Sequence, residues 1–348
     1  MQHLFRPARF MRDDIRNILV IRMNRTGDMI CTIPLLKTLR REFPGACLTV
    51  LAEDTNANAI ENAPYIDKVI VYKKNRGIFK NKHIKLRAML KDAKFDLAIG
   101  VKGGFSSNLA IATFMSRARY RVGYVSDNYH PLNLLYNLPV QEVNKTGHQI
   151  EQCLNLLSSL GIRPDSFLKD ISVKIPEKSR AAVQDFLHQS NVNRGIGKII
   201  VLSISNSGPE TTWPVENFIQ LLKELKEYRI KVIITAVPAD SDKAVRIAEA
   251  SPDALYYKTP HIMDLAAIVE IADLFVCHDS GAMHIGAAAG GRILVLIGRG
   301  IAPEVWGPYG EGHKCLKKTH IKDITIPEVS NEIVTMLNIR SRENHQAH

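Results

Sequence analysis

The chain is 348 residues long, 45% hydrophobic and 23% charged, with a formal net charge of +11. That composition fits a globular protein of two ordinary domains and excludes a disordered or fibrous chain. No apolar run reaches the roughly 18 residues of a membrane-spanning helix.

The charge is unevenly placed. Residues 1–170 carry 26 Lys and Arg against 15 Asp and Glu, and residues 171–348 carry 20 of each. A basic first half implies an anionic partner: a phosphorylated substrate, an acidic lipid surface or nucleic acid. With 7% aromatic residues and no Arg/aromatic alternation, nucleic acid is the weakest of the three. Cys31, Cys47, Cys153, Cys277 and Cys315 are scattered, which points to reduced thiols rather than a disulfide framework or a zinc site. The basic start, Met1 to Arg16, is broken by Pro7 and lacks the apolar segment of a secretory signal, so a cytoplasmic protein is expected.

Asn17 to Arg22 reads as a first buried strand, followed by a turn and a helix from Met29 to Phe43 in which Pro34 sits near the first turn. Strands are expected at Cys47 to Ala52, Lys68 to Tyr72, Phe95 to Val101 and Arg121 to Tyr124. A strongly basic stretch fills Lys73 to Lys94, and helices follow at Ser106 to Met115 and His148 to Leu160, the latter stopped by Gly161. The second half repeats the alternation. Strands are expected at Lys198 to Ser203, Ile230 to Thr235, Leu274 to Cys277 and, as the last clear one, Arg292 to Ile297. Helices are expected at Pro214 to Tyr228, Ser241 to Ala250, Met263 to Ile271, Gly281 to Ala289 and Pro327 to Ile339. The fold class is therefore α/β: two Rossmann-like, doubly wound domains facing a cleft. Their expected bounds are 1–165 and 166–325, with 326–348 as a C-terminal helix and tail that crosses back onto the first domain.

Two loops could carry chemistry. The first turn, Met23 to Asp28, has a single glycine, Gly27, which disfavours a dinucleotide-binding fingerprint. Asp28 is either an acid complementing a helix dipole or a general base. Arg22 and Arg25 could hold an anionic substrate, and Lys102, after the fourth strand, joins them as an acceptor-binding residue. In the second half, Asp279-Ser280-Gly281 lies between a buried strand and a small-residue helix, where free N–H groups favour an anion. The competing reading there is a plain helix cap. The hydroxyl-rich loop Ser203 to Pro214 is either a polar connection or a phosphate cradle opposite Ser280 and Gly281. Arg299 could add a positive charge.

In order and spacing the chain resembles bacterial glycosyltransferase family 9, the ADP-heptose:lipopolysaccharide heptosyltransferases. The motifs are Ile18 to Arg22 with Gly27-Asp28 and Pro34-Leu35-Leu36, then Arg121 to Tyr124, Gly147-His148, Trp213-Pro214, Asp279-Ser280-Gly281 with His284 through Gly298, and Trp306 to Gly310. The resemblance implies a GT-B fold with the acceptor in the N-terminal domain and an ADP-sugar in the C-terminal one. It implies heptose transfer with inversion onto the lipopolysaccharide inner core, whose Kdo and phosphates suit a basic half.

It also implies that Asp28 is the catalytic base and that Ser280 and Gly281 bind the pyrophosphate, with Asp279 and His284 shaping the site. Ser205, Asn206, Ser207, Thr211 and Thr212 would complete the donor site. Thr211 stands where the family often has Lys, and Arg299, where it often has Pro, is expected to supply the missing charge. That departure keeps two alternatives open: another nucleotide sugar for a surface glycan, or a catalytically silent nucleotide- or lipid-precursor-binding protein. No cofactor or protein-held metal is expected, although a divalent cation loosely held on the pyrophosphate is compatible with the pattern. Peripheral contact with the inner membrane, through the run Lys73 to Lys82, is the remaining partner expectation.

Overall fold

The structure is a computed structural model that describes residues 10–73, 82–90, 93–126, 130–142, 146–193, 195, 197–299 and 302–340. The chain forms two compact units, Met1–Ile171 and Ser172–His348. The division falls beyond residue 165 because the intervening segment is tied to the first unit. Leu168 N–H donates to Thr38 Oγ1 at 3.0 Å, and Lys37 pairs with Asp170 at 2.6 Å. Val173 N–H, by contrast, donates to Ala288 of the second unit.

The first unit runs β1 (Asn17–Arg22), α1 (Thr26–Ile30), α2 (Ile33–Glu42), β2 (Cys47–Glu53), β3 (Lys68–Tyr72), α3 (Lys82–Leu90), β4 (Leu97–Gly100), α4 (Ser107–Met115), β5 (Tyr120–Val125), β6 (Leu138–Gln141) and α5 (Gln149–Asn155). Its six strands are all parallel in the order β3-β2-β1-β4-β5-β6. β1 and β4 are near-continuous apolar runs because helices cover both sheet faces. The expected helix over residues 29–43 is instead two. Pro34 has no N–H to give to the carbonyl of Ile30, so the helix breaks at Cys31 and Thr32 and restarts with Pro34 in its first turn. Helix α1 also begins before Asp28, which becomes its third residue.

The second unit runs α6 (Glu177–Gln189), β7 (Lys198–Ser203), α7 (Val215–Leu225), β8 (Ile230–Thr235), α8 (Ser241–Ala248), β9 (Ala254–Tyr256), α9 (Ile262–Glu270), β10 (Leu274–His278), α10 (Gly281–Ala288), β11 (Ile293–Ile297), α11 (Pro303–Trp306), β12 (Lys314–Lys317) and α12 (Ile326–Leu337). Its strand order, β12-β11-β10-β7-β8-β9, repeats the winding of the first sheet. In each unit the order reverses between the first and fourth strands, and the carboxyl ends there open the crevice where such sheets bind ligands.

Helix α12 places Val329, Ile333, Met336 and Leu337 in the second unit's core with Phe218, Leu221 and Leu222 of α7. This packing spends the helix's apolar face inside its own unit.

Candidate functional site

In the first unit, β1 ends in Arg22, whose side chain is fully buried. Its guanidinium donates three ways: Nε to the Asp28 carbonyl at 3.1 Å, NH1 to the Val101 carbonyl at 2.6 Å, and NH2 to Asp28 Oδ1 at 2.5 Å. The other carboxylate oxygen, Oδ2, accepts from Arg25 N–H at 3.2 Å, as an acid at the third helical position does in a capping box. Thr32 Oγ1 donates to the Asp28 carbonyl at 2.9 Å. Buried Asn56 donates to the carbonyls of Arg22 and Asn24 and holds the turn from β2.

Asp28 is thus fixed in direction by a cation beneath it, with its side chain 13% exposed. This corrects the place of Arg22: it is a buried anchor for Asp28 and the β4 loop, and it cannot touch an acceptor. Arg25 and Lys102 are exposed at the carboxyl ends of β1 and β4, beside Asp28 in the fold. Asn56 was missed because a polar residue just after a strand carries no motif.

In the second unit, the corresponding crevice is lined by the loop after β7 and by the start of α10. Ser280 caps α10, its Oγ accepting from Ala282 N–H at 3.2 Å. The hydroxyl oxygen thus acts as a helix cap, and a hydroxyl that accepts at its oxygen still has a proton to give. The small residues of α10 serve packing: a Cβ on Gly286 would lie 2.6 Å from the Phe275 ring of β10. His284 is buried, with its ring edge-on to Trp306 at 6.3 Å between centroids. Asp279 immediately precedes the cap, and Arg299 is exposed just beyond the end of β11.

The loop hydroxyls are turned inward, which corrects the picture of an open cradle. Thr211 Oγ1 and Thr212 Oγ1 both donate to the Gly208 carbonyl, at 3.0 and 2.8 Å. Asn206 Nδ2 donates to the Thr211 carbonyl, and its Oδ1 accepts from Ser207 N–H, both at 2.7 Å. Ser205 is buried and its Oγ accepts from Val237 N–H. Burial pushes the Asp240 carboxyl up, but hydrogen bonds from Lys243 and from Ser205 outweigh it and hold Asp240 below the usual range. A hydroxyl has one proton to give. Those of Ser205, Thr211 and Thr212 go to protein acceptors, whereas Ser207 lies exposed at the loop tip.

The far end of this loop is held by His278, which the motifs did not mark. Trp213 N–H donates to its Nε2 at 2.9 Å, so the neutral ring carries its proton on Nδ1. Nδ1 lies toward the Ser205 carbonyl, close enough to affect titration but short of a well-formed hydrogen bond. Burial pushes the His278 pKa down to about 4. An unfolded chain takes up this proton near pH 6.5 and the folded one does not, so stability falls as pH drops from about 6.5 toward 4. Between pH 7 and pH 5 this group alone costs the second unit about 2 kcal/mol. In His278→Gln the amide oxygen can still accept from Trp213 and does not titrate. Urea unfolding at both pH values should show a smaller acid loss in that variant, and an equal loss would discard the assignment.

Among the described residues, no group of three or more His, Cys, Asp or Glu side chains is placed to hold a metal ion, and no helix is long and apolar enough to cross a membrane. The basic run expected to touch a membrane lies outside the described residues from 74 to 81.

A Haemophilus influenzae protein named only as a glycosyltransferase is 26% identical over 285 residues, covering 79% of this chain and 80% of its own. Escherichia coli lipopolysaccharide heptosyltransferase 3 is 23% identical over 291 residues, covering 78% and 80%. The solved structure of the E. coli heptosyltransferase WaaC with ADP-2-deoxy-2-fluoro heptose matches with a TM-score of 0.74 at 17% identity, covering 92% of this chain and 99% of that one. That likeness identifies the fold as GT-B. Residues 83–331, well over half of the chain, match the family described as Glycosyltransferase family 9 (heptosyltransferase). The chain therefore belongs to glycosyltransferase family 9 and is a glycosyltransferase.

Proposed function

We propose that the chain transfers a heptose from ADP-heptose to a sugar of the lipopolysaccharide core by a single inverting displacement. The observation that carries this is the pair of matched crevices: an oriented carboxylate at the first unit's strand reversal and a capped helix start at the second's. The names of the relatives support heptose and lipopolysaccharide, and the ligand in the WaaC structure supports ADP as leaving group. The family match begins at residue 83, so the role of Asp28 rests on its own geometry.

In this reading the first unit binds the acceptor and the second the donor. Asp28 takes the proton of the attacking hydroxyl through Oδ2, while Arg22 holds Oδ1 and fixes the carboxylate plane. The leaving diphosphate gathers charge at the start of α10, where backbone N–H groups, the Ser280 hydroxyl and the helix dipole are already oriented. Release of ADP from ADP-heptose with heptose-less core lipid as acceptor tests the reaction. No release, with ADP still bound, would overturn the choice of donor.

Arg299 is the cation of the donor site in this reading, because Thr211 brings no charge and turns its hydroxyl inward. Arg299→Ala should raise the donor KM about tenfold, or ~1.4 kcal/mol, with kcat little changed. An unchanged donor KM would remove it from the site. The same uncharged Thr211 favours a second reading, a different nucleotide sugar, which competition among ADP-, UDP- and GDP-sugars decides.

A further inference from the structure

Trp306 opens the last of the motifs, and the function above gives it no task. The chain has two tryptophans, and the fold uses them differently. Trp213 is 0% exposed and gives its Nε1–H to the Ile324 carbonyl. Trp306 is half-buried; among the described residues its Nε1–H meets no acceptor, and that nitrogen is open to solvent. A tryptophan held for packing alone buries its ring and pairs its donor, as Trp213 does.

The backbone under Trp306 is fixed. It is the last residue of α11, its N–H donates to the Ala302 carbonyl at 3.0 Å, and Gly307 N–H donates to the Pro303 carbonyl at 2.7 Å. A Cβ on Gly307 would fall 2.4 Å from that same carbonyl oxygen, so the chain can turn this tightly after the indole only with glycine there. The ring is placed by α10. It lies edge-on to His284 at 6.3 Å between centroids, and His284 is buried in α10, four positions after the Ser280 cap. Helical side chains lean toward the N-terminus of their helix, so the His284 ring stands over the first turn of α10. Trp306 therefore borders the start of that helix, on the side where β11 adjoins β10.

The chemistry of the donor decides what reaches this place. With the diphosphate at the start of α10, the sugar joined to its outer phosphate lies about one ring's width away, whereas the base is held off by the ribose. An indole offers an apolar face to the C–H groups of a sugar ring and one donor to a hydroxyl. It carries no charge, so it adds nothing to the hold on the diphosphate. We propose that Trp306 is the platform for the transferred sugar and sets the preference for an ADP-sugar over ADP. This rests on the reading that the second unit binds the donor diphosphate at α10, and it names the residue that meets the sugar.

The test is acrylamide quenching of tryptophan fluorescence in the full chain, with ADP or with ADP-heptose and no acceptor. Trp213 is sealed from the quencher, so the quenchable emission belongs to Trp306, and its disappearance in Trp306→Phe checks that assignment. Saturating ADP-heptose should lower the quenching constant about twofold or more below its value with ADP. In Trp306→Ala the Kd of ADP-heptose should rise about tenfold and that of ADP should stay within about twofold. Trp306→Phe keeps an apolar ring and loses the donor, so its Kd for ADP-heptose should fall between wild type and Trp306→Ala. Equal protection by ADP would give the indole to the ribose and overturn the proposal. So would an equal loss of ADP and ADP-heptose affinity in Trp306→Ala, which is what loosened packing alone produces. ADP release from ADP-heptose with acceptor is measured on the same protein. Turnover without extra protection by the sugar removes Trp306 from its role and leaves the reaction standing. Protection without turnover keeps Trp306 as a sugar platform and removes the transfer, and the absence of both overturns both.

Discussion

Asp28→Asn should lower kcat for sugar transfer by about 100-fold or more, with the donor KM within about twofold of wild type. The asparagine keeps an oxygen for Arg22 NH2, which now holds Oδ1 at 2.5 Å, so the side chain stays aimed. What it loses is the second oxygen and with it the basicity. The carboxylate has about four lone-pair sites; Arg22 and Arg25 N–H each use one, which leaves Oδ2 able to take a proton from its exposed side. The substitution also strips the buried Arg22 of its counter-charge, and breaking such pairs is costly. A lower unfolding midpoint for the first unit should therefore accompany the kinetic loss. Turnover at saturating substrate, corrected for the folded fraction by circular dichroism, separates the two effects. If kcat per folded molecule matches wild type, Asp28 is only the cap of α1.

The two crevices were legible in the sequence because the features that mark them are local. An apolar run ending in Gly27-Asp28 or in Asp279-Ser280-Gly281 announces a strand end and a helix start whatever surrounds it. What the side chains do inside those loops was not legible, because it depends on partners far along the chain. Arg22 next to an acidic helix start reads as a surface cation, and only its approach to Val101, 79 positions away, shows it to be buried. The hydroxyls of Thr211 and Thr212 read as ligand donors, yet Gly208 captures both.

The edge strands β6, β9 and β12 escaped notice because they are short and carry little apolar pattern. Pro139 sits in β6, where an edge position tolerates its missing N–H. Helix α6 escaped for a related reason: among its buried residues only Val183 and Leu187 are large and apolar, too narrow a stripe to read.

Trp213→Ala should destabilise the second unit by about 3–5 kcal/mol, the range for emptying a fully buried aromatic site. The ring is 0% exposed and sits edge-on to Phe218 at 5.0 Å, and its Nε1–H donates to the Ile324 carbonyl at 2.9 Å. Trp213→Phe keeps most of the ring and loses only that donor. It leaves a carbonyl unpaired at a cost of about 1–3 kcal/mol, so the two variants should fall in order. Function should follow stability unevenly. Trp213 is where the β7 loop is pinned, through its backbone N–H, to His278 at the end of β10. Loosening that pin frees the residues from Ser205 to Thr212, so the donor KM should rise more than kcat falls, and acceptor KM should hold. Urea unfolding with and without ADP checks the assignment, because ADP, if it binds the second unit as proposed, raises only the transition of that unit. A Trp213→Ala chain whose ADP-sensitive transition stays at its wild-type midpoint would mean that the anchor bears no weight. The order of the donor loop would then have to come from the loop's own hydrogen bonds around Gly208.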